Sequence, residues 1–230
     1  MTTIYLDLET IGTDDTSVIA EIADSIKPPG NISKPESIEK WMAENKKSAI
    51  DKAVGLTGLD GGLGRIICIG FAINDEEPDS FSAPFKQDER AAIQGFFAEY
   101  KKASDLHYSG GVVDNPPVVV GHNVIGFDLR FLWQRCVVLG ITHPTRFPFD
   151  RQQQNRGVYD TMLQWNPDRD KRTSLDKLCK MLGVSSPKEK MSGADVWGFF
   201  KEGRINDIAE YCRADITATR ECYKRMTFAP

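Results

Sequence analysis

The chain has 230 residues and a formal net charge of −4, and it is 40% hydrophobic and 27% charged. These values fit a soluble globular protein with a substantial core. They exclude a chain that holds nucleic acid by bulk electrostatics, and no apolar run reaches the roughly 20 residues that span a bilayer.

Ile4, Leu6 and Leu8 alternate with Tyr5, Asp7 and Glu9, so a first strand puts the aliphatics on one face and both acids on the other. Neighbouring carboxylates on one strand face repel, and Asp is a poor strand former. A hard divalent cation between them removes the repulsion; two solvated acids on an exposed edge are the plainer reading. Residues 12–62 read as an insertion. They hold a short helix over Ser17–Ile26, then a helix from Pro35 to Val54 with Ile38, Trp41, Met42, Ala49, Ile50 and Ala53 as its apolar stripe. The Gly-rich stretch from Gly58 to Gly64 ends the section. No chemistry is legible there; a docking arm for a protein partner or a lid is one reading, and structural padding is the plainer one.

The run from Gly64 to Ile73 predicts a central strand buried on both faces. A turn follows over Asn74–Pro78, then a short strand near Phe81 and a helix over Asp88–Lys101, with Ala91, Ile93, Phe96, Phe97 and Tyr100 inward. Pro116–Val120 predicts a strand leading into Gly121-His122-Asn123. A helix then begins near Asp128, with Leu129, Leu132, Trp133, Cys136 and Leu139 at core spacing. Residues 141–172 are irregular apart from a short element over Tyr159–Trp165. Helices follow at Ser174–Leu182, Ala194–Lys201 and Ile205–Met226. This order of strands and helices predicts a mixed, layered α/β architecture. From residue 145 to 190 there are ten Lys and Arg against six Asp and Glu, so one stretch of an acidic chain is basic. The five cysteines form no C-x-x-C pair and fall largely at apolar positions, the pattern of buried free thiols in a reducing compartment. With no signal-peptide pattern before the first strand, the expected location is cytoplasmic.

Two further acids stand out. Asp128 opens a helix, where an N-cap is the plain reading. In the last helix Ile208, Cys212, Ile216 and Thr219 mark the inward stripe, with Asp215 beside it and Tyr211 one turn earlier; Arg213 and Arg220 face outward. A carboxylate near a core face costs on the order of several kcal/mol unless it is paired or metal-bound, and partial exposure to water is the alternative.

Asp7-x-Glu9, Asn123-x4-Asp128 and Tyr211-x3-Asp215, in this order, resemble the DEDDy subclass of 3′–5′ exonucleases. Gly121-x-Asn123-x4-Asp128-Leu129-Arg130, with Phe127 before the acid, is most similar to the proofreading domains of family-B DNA polymerases. The similarity continues through Thr173-Ser174-Leu175-Asp176-Lys177-Leu178, Leu182-Gly183 and Tyr211-Cys212-Arg213-Ala214-Asp215, and so covers most of the chain outside residues 12–62. Without room for a polymerase domain, the chain looks like the stand-alone PolB-like group of bacteria and their phages. The resemblance implies a ribonuclease-H-like α/β fold, a mixed central sheet flanked by helices in one exonuclease domain over residues 1–230. It also implies two divalent ions, Mg²⁺ or Mn²⁺: Asp7, Glu9 and Asp215 on the catalytic ion, Asp7 bridging to a second ion supported by Asp128, and Tyr211 orienting the attacking water. A histidine subclass exists, but His107, His122 and His143 all lie far from Asp215 in sequence.

The implied partner is the 3′ end of a single-stranded nucleic acid, DNA ahead of RNA, shortened to 5′-mononucleotides. The same chemistry on RNA and a catalytically silent binding module are the alternatives; the presence of all five functional residues counts against the second. Expected substrate contacts are Thr10 and Ile11 through backbone and apolar surface, Asn123, Phe127 by stacking (unless it is core), and Lys188 and Lys190 on phosphate (unless they form a solvated loop). Asp160 reads as an N-cap, His122 as structural or substrate-facing, and Trp165 and Trp197 as packing residues.

Overall fold

An unbroken apolar strand beside an alternating one is the pattern of a sheet covered on both faces, and the computed structural model has that architecture. It describes residues 2–105, 116–150, 154, 157–167, 171–186 and 191–229. Five strands, β1 (Thr3–Ile11), β2 (Arg65–Ile73), β3 (Asp79–Ser82), β4 (Val118–Gly121) and β5 (Val158–Asp160), form one mixed sheet in the order β3-β2-β1-β4-β5. β1 pairs antiparallel with β2 and parallel with β4, β3 is antiparallel to β2, and β5 is parallel to β4. The acid-bearing strand is therefore the middle one, not an edge.

The helices are α1 (Thr16–Ser25), α2 (Pro35–Leu56), α3 (Glu89–Asp105), α4 (Asp128–Leu139), α5 (Thr161–Trp165), α6 (Leu175–Leu182), α7 (Val196–Lys201) and α8 (Ile205–Thr227). Among the described residues no helix is long and apolar enough to cross a membrane. Ile4, Leu6 and Leu8 join the larger core cluster with Ile93, Phe96, Leu129 and Leu132 from α3 and α4. Tyr5, Ala72, Val118 and Val120 meet Ile216 of α8 on the other face. The chain thus reads as helices, sheet, helix. α8 approaches β2 closely at Gly70: a Cβ there would lie 2.7 Å from Cys212 Sγ and 3.2 Å from Cys212 O. Gly70 is the register partner of Asp7, so the missing side chain lets the last helix lie directly over the acidic face of β1.

The connection between β1 and β2 packs loosely. Neither α1 nor α2 holds a buried residue, and the predicted stripe of α2 is half-buried. Its two ends are anchored, however: Thr10 Oγ1 donates to Gly58 O (2.7 Å) and Thr13 N to Thr57 Oγ1 (2.8 Å).

Four expectations need correction. Trp133 is 48% exposed, because α4 buries Leu129, Leu132 and Cys136 and the helical period carries residue 133 off that stripe. On α3, Ala92 is buried rather than Ala91. Trp165 is 39% exposed and so is not a packing residue. Arg213 and Arg220 reach back to the β2–β3 hairpin, donating to Ser80 Oγ (2.8 Å) and Glu76 O (2.6 Å). The cysteines behave as expected, all five being buried free thiols.

One buried ion pair ties the layers together. Glu89, fully buried, takes two hydrogen bonds from Arg135, each 2.8 Å, and a third from Ile66 N (2.8 Å), while Arg135 Nη1 donates to Gly61 O (3.0 Å). Removing one partner of such a pair strands the other charge in the core. Arg135→Met should therefore lower unfolding free energy by about 3–5 kcal/mol in urea titrations. The double change Glu89→Leu, Arg135→Met should cost less than the single one.

Candidate active site

Each functional side chain is delivered by a local rule. β1 presents Asp7 and Glu9 to α8 by strand alternation. Asp128 is the first residue of α4, and its carboxylate does not cap that helix, whose N-cap position falls to Phe127. Instead Asp128 Oδ1 accepts from Leu8 N at 2.9 Å, which fixes the carboxylate against the backbone between the two β1 acids. From α8, Asp215 is 8% exposed, and Tyr211, one turn earlier on the same helix, lines the same cleft. Cys212 Sγ lies 3.4 Å from Asp7 Oδ2, and donor atoms of Asp7, Glu9 and Cys212 all fall within 4.8 Å of one another. The ladder between β1 and β2 shifts register between Glu9 and Thr10, a bulge of the kind that re-aims side chains at sites.

The electrostatics follow from putting carboxylates together out of water. Burial pushes the Asp7 carboxyl up to about 6, moderated by the hydrogen bond from Cys212. Glu9 is raised well above its ordinary range by burial, then by Asp7 and Asp215. Asp128 is raised likewise, by burial and then by Asp7. Burial, then the charge of Asp215, raises the Tyr211 phenol, which therefore stays protonated at neutral pH. Among the described residues no Lys or Arg forms an ion pair with Asp7, Glu9 or Asp128. Asp7, Glu9 and Asp128, self-repelling hard oxygen donors with no basic partner among the described residues, suit divalent cations of the Mg²⁺ or Mn²⁺ type.

The site opens on a cleft of about 400 Å³ whose lining includes Asn123, Arg172, Thr173, Tyr211 and Asp215. Its wall is built around Asp160. This carboxylate caps α5 through Met162 N (3.0 Å) and Leu163 N (3.2 Å), as expected, and also accepts from Asn123 N and Ile125 N, both 3.0 Å. The loop it fixes holds Asn123 at φ 62°, a left-handed conformation that Asn tolerates better than most residues. Gly126 lies close beside it: a Cβ there would sit 2.5 Å from Asn123 Oδ1 and would turn that side chain. His122 is a framework residue: its ring nitrogens contact Thr161 Oγ1 (2.9 Å) and Thr173 O (2.8 Å), and burial lowers its pKa, so the imidazole is neutral at pH 7.

Thr10 is half-buried and bonded to the Gly58 carbonyl. Ile11 is 2% exposed, packed with Ile67, Met191 and Val196; the expectation of an apolar side-chain contact is corrected, because that surface is already covered by protein. Phe127 is half-buried against the core with its ring centroid 5.6 Å from that of Phe131. Trp197 packs as expected, stacked on Phe200 at 5.9 Å. Lys188 and Lys190 lie outside the described residues. Sequence reasoning missed the place of Cys212 in the acidic cluster, since a Cys on an inward stripe looks only apolar, and the second role of Asp160.

The sheet order, the covering helices and the acidic cluster define an α/β protein with the ribonuclease-H-like fold of polymerase exonuclease domains. A family model described as "Predicted 3'-5' exonuclease related to the exonuclease domain of PolB" matches residues 65–229, and the chain belongs to that family. The matched span includes Asp128, Tyr211 and Asp215, while Asp7 and Glu9 precede it. The family B DNA polymerase of the hyperthermophilic archaeon Pyrobaculum calidifontis shares the fold, with a TM-score of 0.58 at 17% identity. That alignment covers 99% of this chain and 24% of the polymerase, so the chain spans about a quarter of that protein's length. Two structures of E. coli ExoI, a zinc-bound complex with single-stranded DNA and a complex with a dT13 oligonucleotide, align with TM-scores of 0.39 and 13% identity. They cover 93% and 91% of this chain and 42% and 41% of theirs. No curated protein sequence matches.

The raised carboxyl pKa values give a pH dependence. Folded Asp7 keeps its proton to about pH 6, whereas its ordinary pKa is 3.8. Between those values the folded chain binds more protons than the unfolded chain, so stability falls as pH rises. Glu9 and Asp128 extend the decline upward. In EDTA the Tm should drop from pH 4 to pH 7. Asp7→Asn should flatten the profile and stabilise the metal-free protein at pH 7 by on the order of 1–2 kcal/mol. A variant that kept the wild-type profile would contradict this account.

Proposed function

We propose that this protein is a metal-dependent 3′–5′ exonuclease that shortens single-stranded DNA to 5′-mononucleotides. The observation that carries the reading is the convergence of Asp7, Glu9, Asp128 and Asp215, from β1, α4 and α8, beside a cleft into which Tyr211 also faces. Membership of a predicted 3′–5′ exonuclease family supports the reaction class. The relation of that family to the exonuclease domain of a DNA polymerase supports DNA over RNA. Two divalent ions held by Asp7, Glu9, Asp128 and Asp215, with Asp7 shared, would supply the charge that activates the water, clamps the non-bridging oxygens and stabilises the leaving 3′-oxygen. Asp128 is oriented by the Leu8 amide, so its carboxylate is held in place before substrate arrives. Tyr211 stays protonated, so it serves as a hydrogen-bond partner that positions the attacking water and not as a base. Asn123, Thr10 and the Ile11 main chain border the terminal nucleotide, and Phe127 supports the wall from the core side. Lys188 and Lys190, by sequence position, supply phosphate contacts.

The test is hydrolysis of 5′-labelled single-stranded DNA and RNA of one sequence, and of a closed single-stranded circle, in Mg²⁺, Mn²⁺ or EDTA. Stepwise shortening of linear DNA with metal is expected, with the circle left intact and no product in EDTA. Metal should also raise the Tm, because it binds the folded state. Asp7→Ala should abolish turnover while the chain stays folded; an active Asp7→Ala, or full activity in EDTA, would refute the assignment.

Tyr211→Phe keeps the ring and removes only the hydroxyl. Single-turnover rates at saturating Mg²⁺ should fall about 10- to 1000-fold, the loss of one positioning hydrogen bond, with DNA affinity little changed. A Phe variant as fast as wild type would remove Tyr211 from the mechanism and leave it a packing residue.

A further inference from the structure

A second cleft of about 650 Å³ adjoins the catalytic one and shares Asn123, Met162 and Arg172 with it. Its lining carries three cations, Arg130, Lys171 and Arg172, and no Asp or Glu among the described residues. In a chain with 33 acids and 29 bases, that is a local reversal of charge. Arg130 is held in place by neutral groups, donating to Gly126 O (3.2 Å) and Leu59 O (3.0 Å), and among the described residues no Asp or Glu forms an ion pair with it. Ile125, Leu129 and Phe149 supply apolar surface, and Trp133 stands 48% exposed on the same side. An aromatic face among cations is how proteins hold single strands: unpaired bases stack and phosphates are neutralised. There is also a reason such a surface must exist. Four carboxylates at the catalytic centre repel a phosphodiester chain, and the protein as a whole is negative, so affinity for a polyanion has to come from a cationic track outside the acidic cluster.

We infer that this groove binds the substrate strand on the 5′ side of its terminal nucleotide, with Trp133 stacking on a base and Lys171 and Arg172 contacting phosphates. The inference rests on the exonuclease reading for the substrate's identity. Duplex DNA does not fit it, since paired bases present no free face to Trp133. The occupant is therefore a few unpaired nucleotides leading away from the 3′ end.

The test measures binding apart from hydrolysis. Fluorescence anisotropy of 5′-labelled dT12 and dT3 is followed in EDTA across a KCl series, for the wild-type chain and for Trp133→Ala, Trp133→Phe and Lys171→Ala. Trp133→Ala should weaken dT12 binding about 10-fold, and Phe, which keeps an aromatic face, should restore most of it. Lys171→Ala should reduce the slope of log K against log[KCl] by about 0.7, the share of one phosphate contact on a single strand. Both losses should be smaller for dT3, which ends near the catalytic cleft. Equal dT12 affinity and salt slope in wild type and variants, or no dT12 binding by wild type, would overturn the inference even if the enzyme hydrolyses DNA. Variant-sensitive binding without hydrolysis in Mg²⁺ would uphold the groove and sink the exonuclease reading instead.

Discussion

Helix α8 can lie over the acidic face of β1 because residue 70, opposite Asp7 in the ladder, has no side chain. A Cβ there would meet Cys212 at well under van der Waals distance. The approach sets where Tyr211, Cys212 and Asp215 stand relative to Asp7 and Glu9, and so whether the carboxylates form one site or two. Elsewhere α8 is held by apolar packing, Ile208 and Ala209 in one cluster and Ala218 and Cys222 in another, and by Arg213 and Arg220 bonding to the β2–β3 hairpin. Such packing tolerates substitution of similar volume. The contact at Gly70 does not, since any side chain moves the helix away from the strand.

The buried charges of this protein fall into two kinds. Glu89 and Arg135 are matched: a bidentate pair, with the remaining hydrogen-bonding capacity met by Ile66 N and Gly61 O. Asp160 is matched too, by four backbone amides. Asp7, Glu9 and Asp128 are gathered at one place with single hydrogen bonds to Asp128 and Asp7, and their protons are held more tightly as a result. Matched groups hold the frame rigid; the unmatched cluster raises the free energy of the metal-free fold and so favours binding of cations. Asp160 links the two kinds, because the loop it fixes carries Asn123 on one side of the catalytic cleft and leads into Asp128 on the other.

The region between β1 and β2 plays a different part. Its helices bury nothing fully, yet residues 57–64 close on the end of β1 through Thr10, Thr13 and the Ile11 backbone. Gly61 reaches further, to Arg135 and Gln134 of α4. The arm's base is thus part of the frame around the acidic pair, whereas α1 and α2 pack mainly on one another.

Much of this was legible in the residues themselves. Alternation around Asp7 and Glu9 determined which face of β1 carries acid, because side-chain direction in a strand is a local property. The i, i+4 spacing likewise determined that Tyr211 and Asp215 are neighbours. The unbroken run of β2 determined burial on both faces. What the chain order could not decide is anything that depends on contact between distant segments. Asp128 looked like a cap until the amide of Leu8, 120 residues away, took its carboxylate. Trp133 looked like core until the crossing of α4 left it exposed, and Ile11 looked available until α7 covered it. The Glu89–Arg135 pair has no local signature at all. Local periodicity limits each segment to a face, but only tertiary packing decides what that face meets, and the chemistry of a buried carboxylate is set by what it meets.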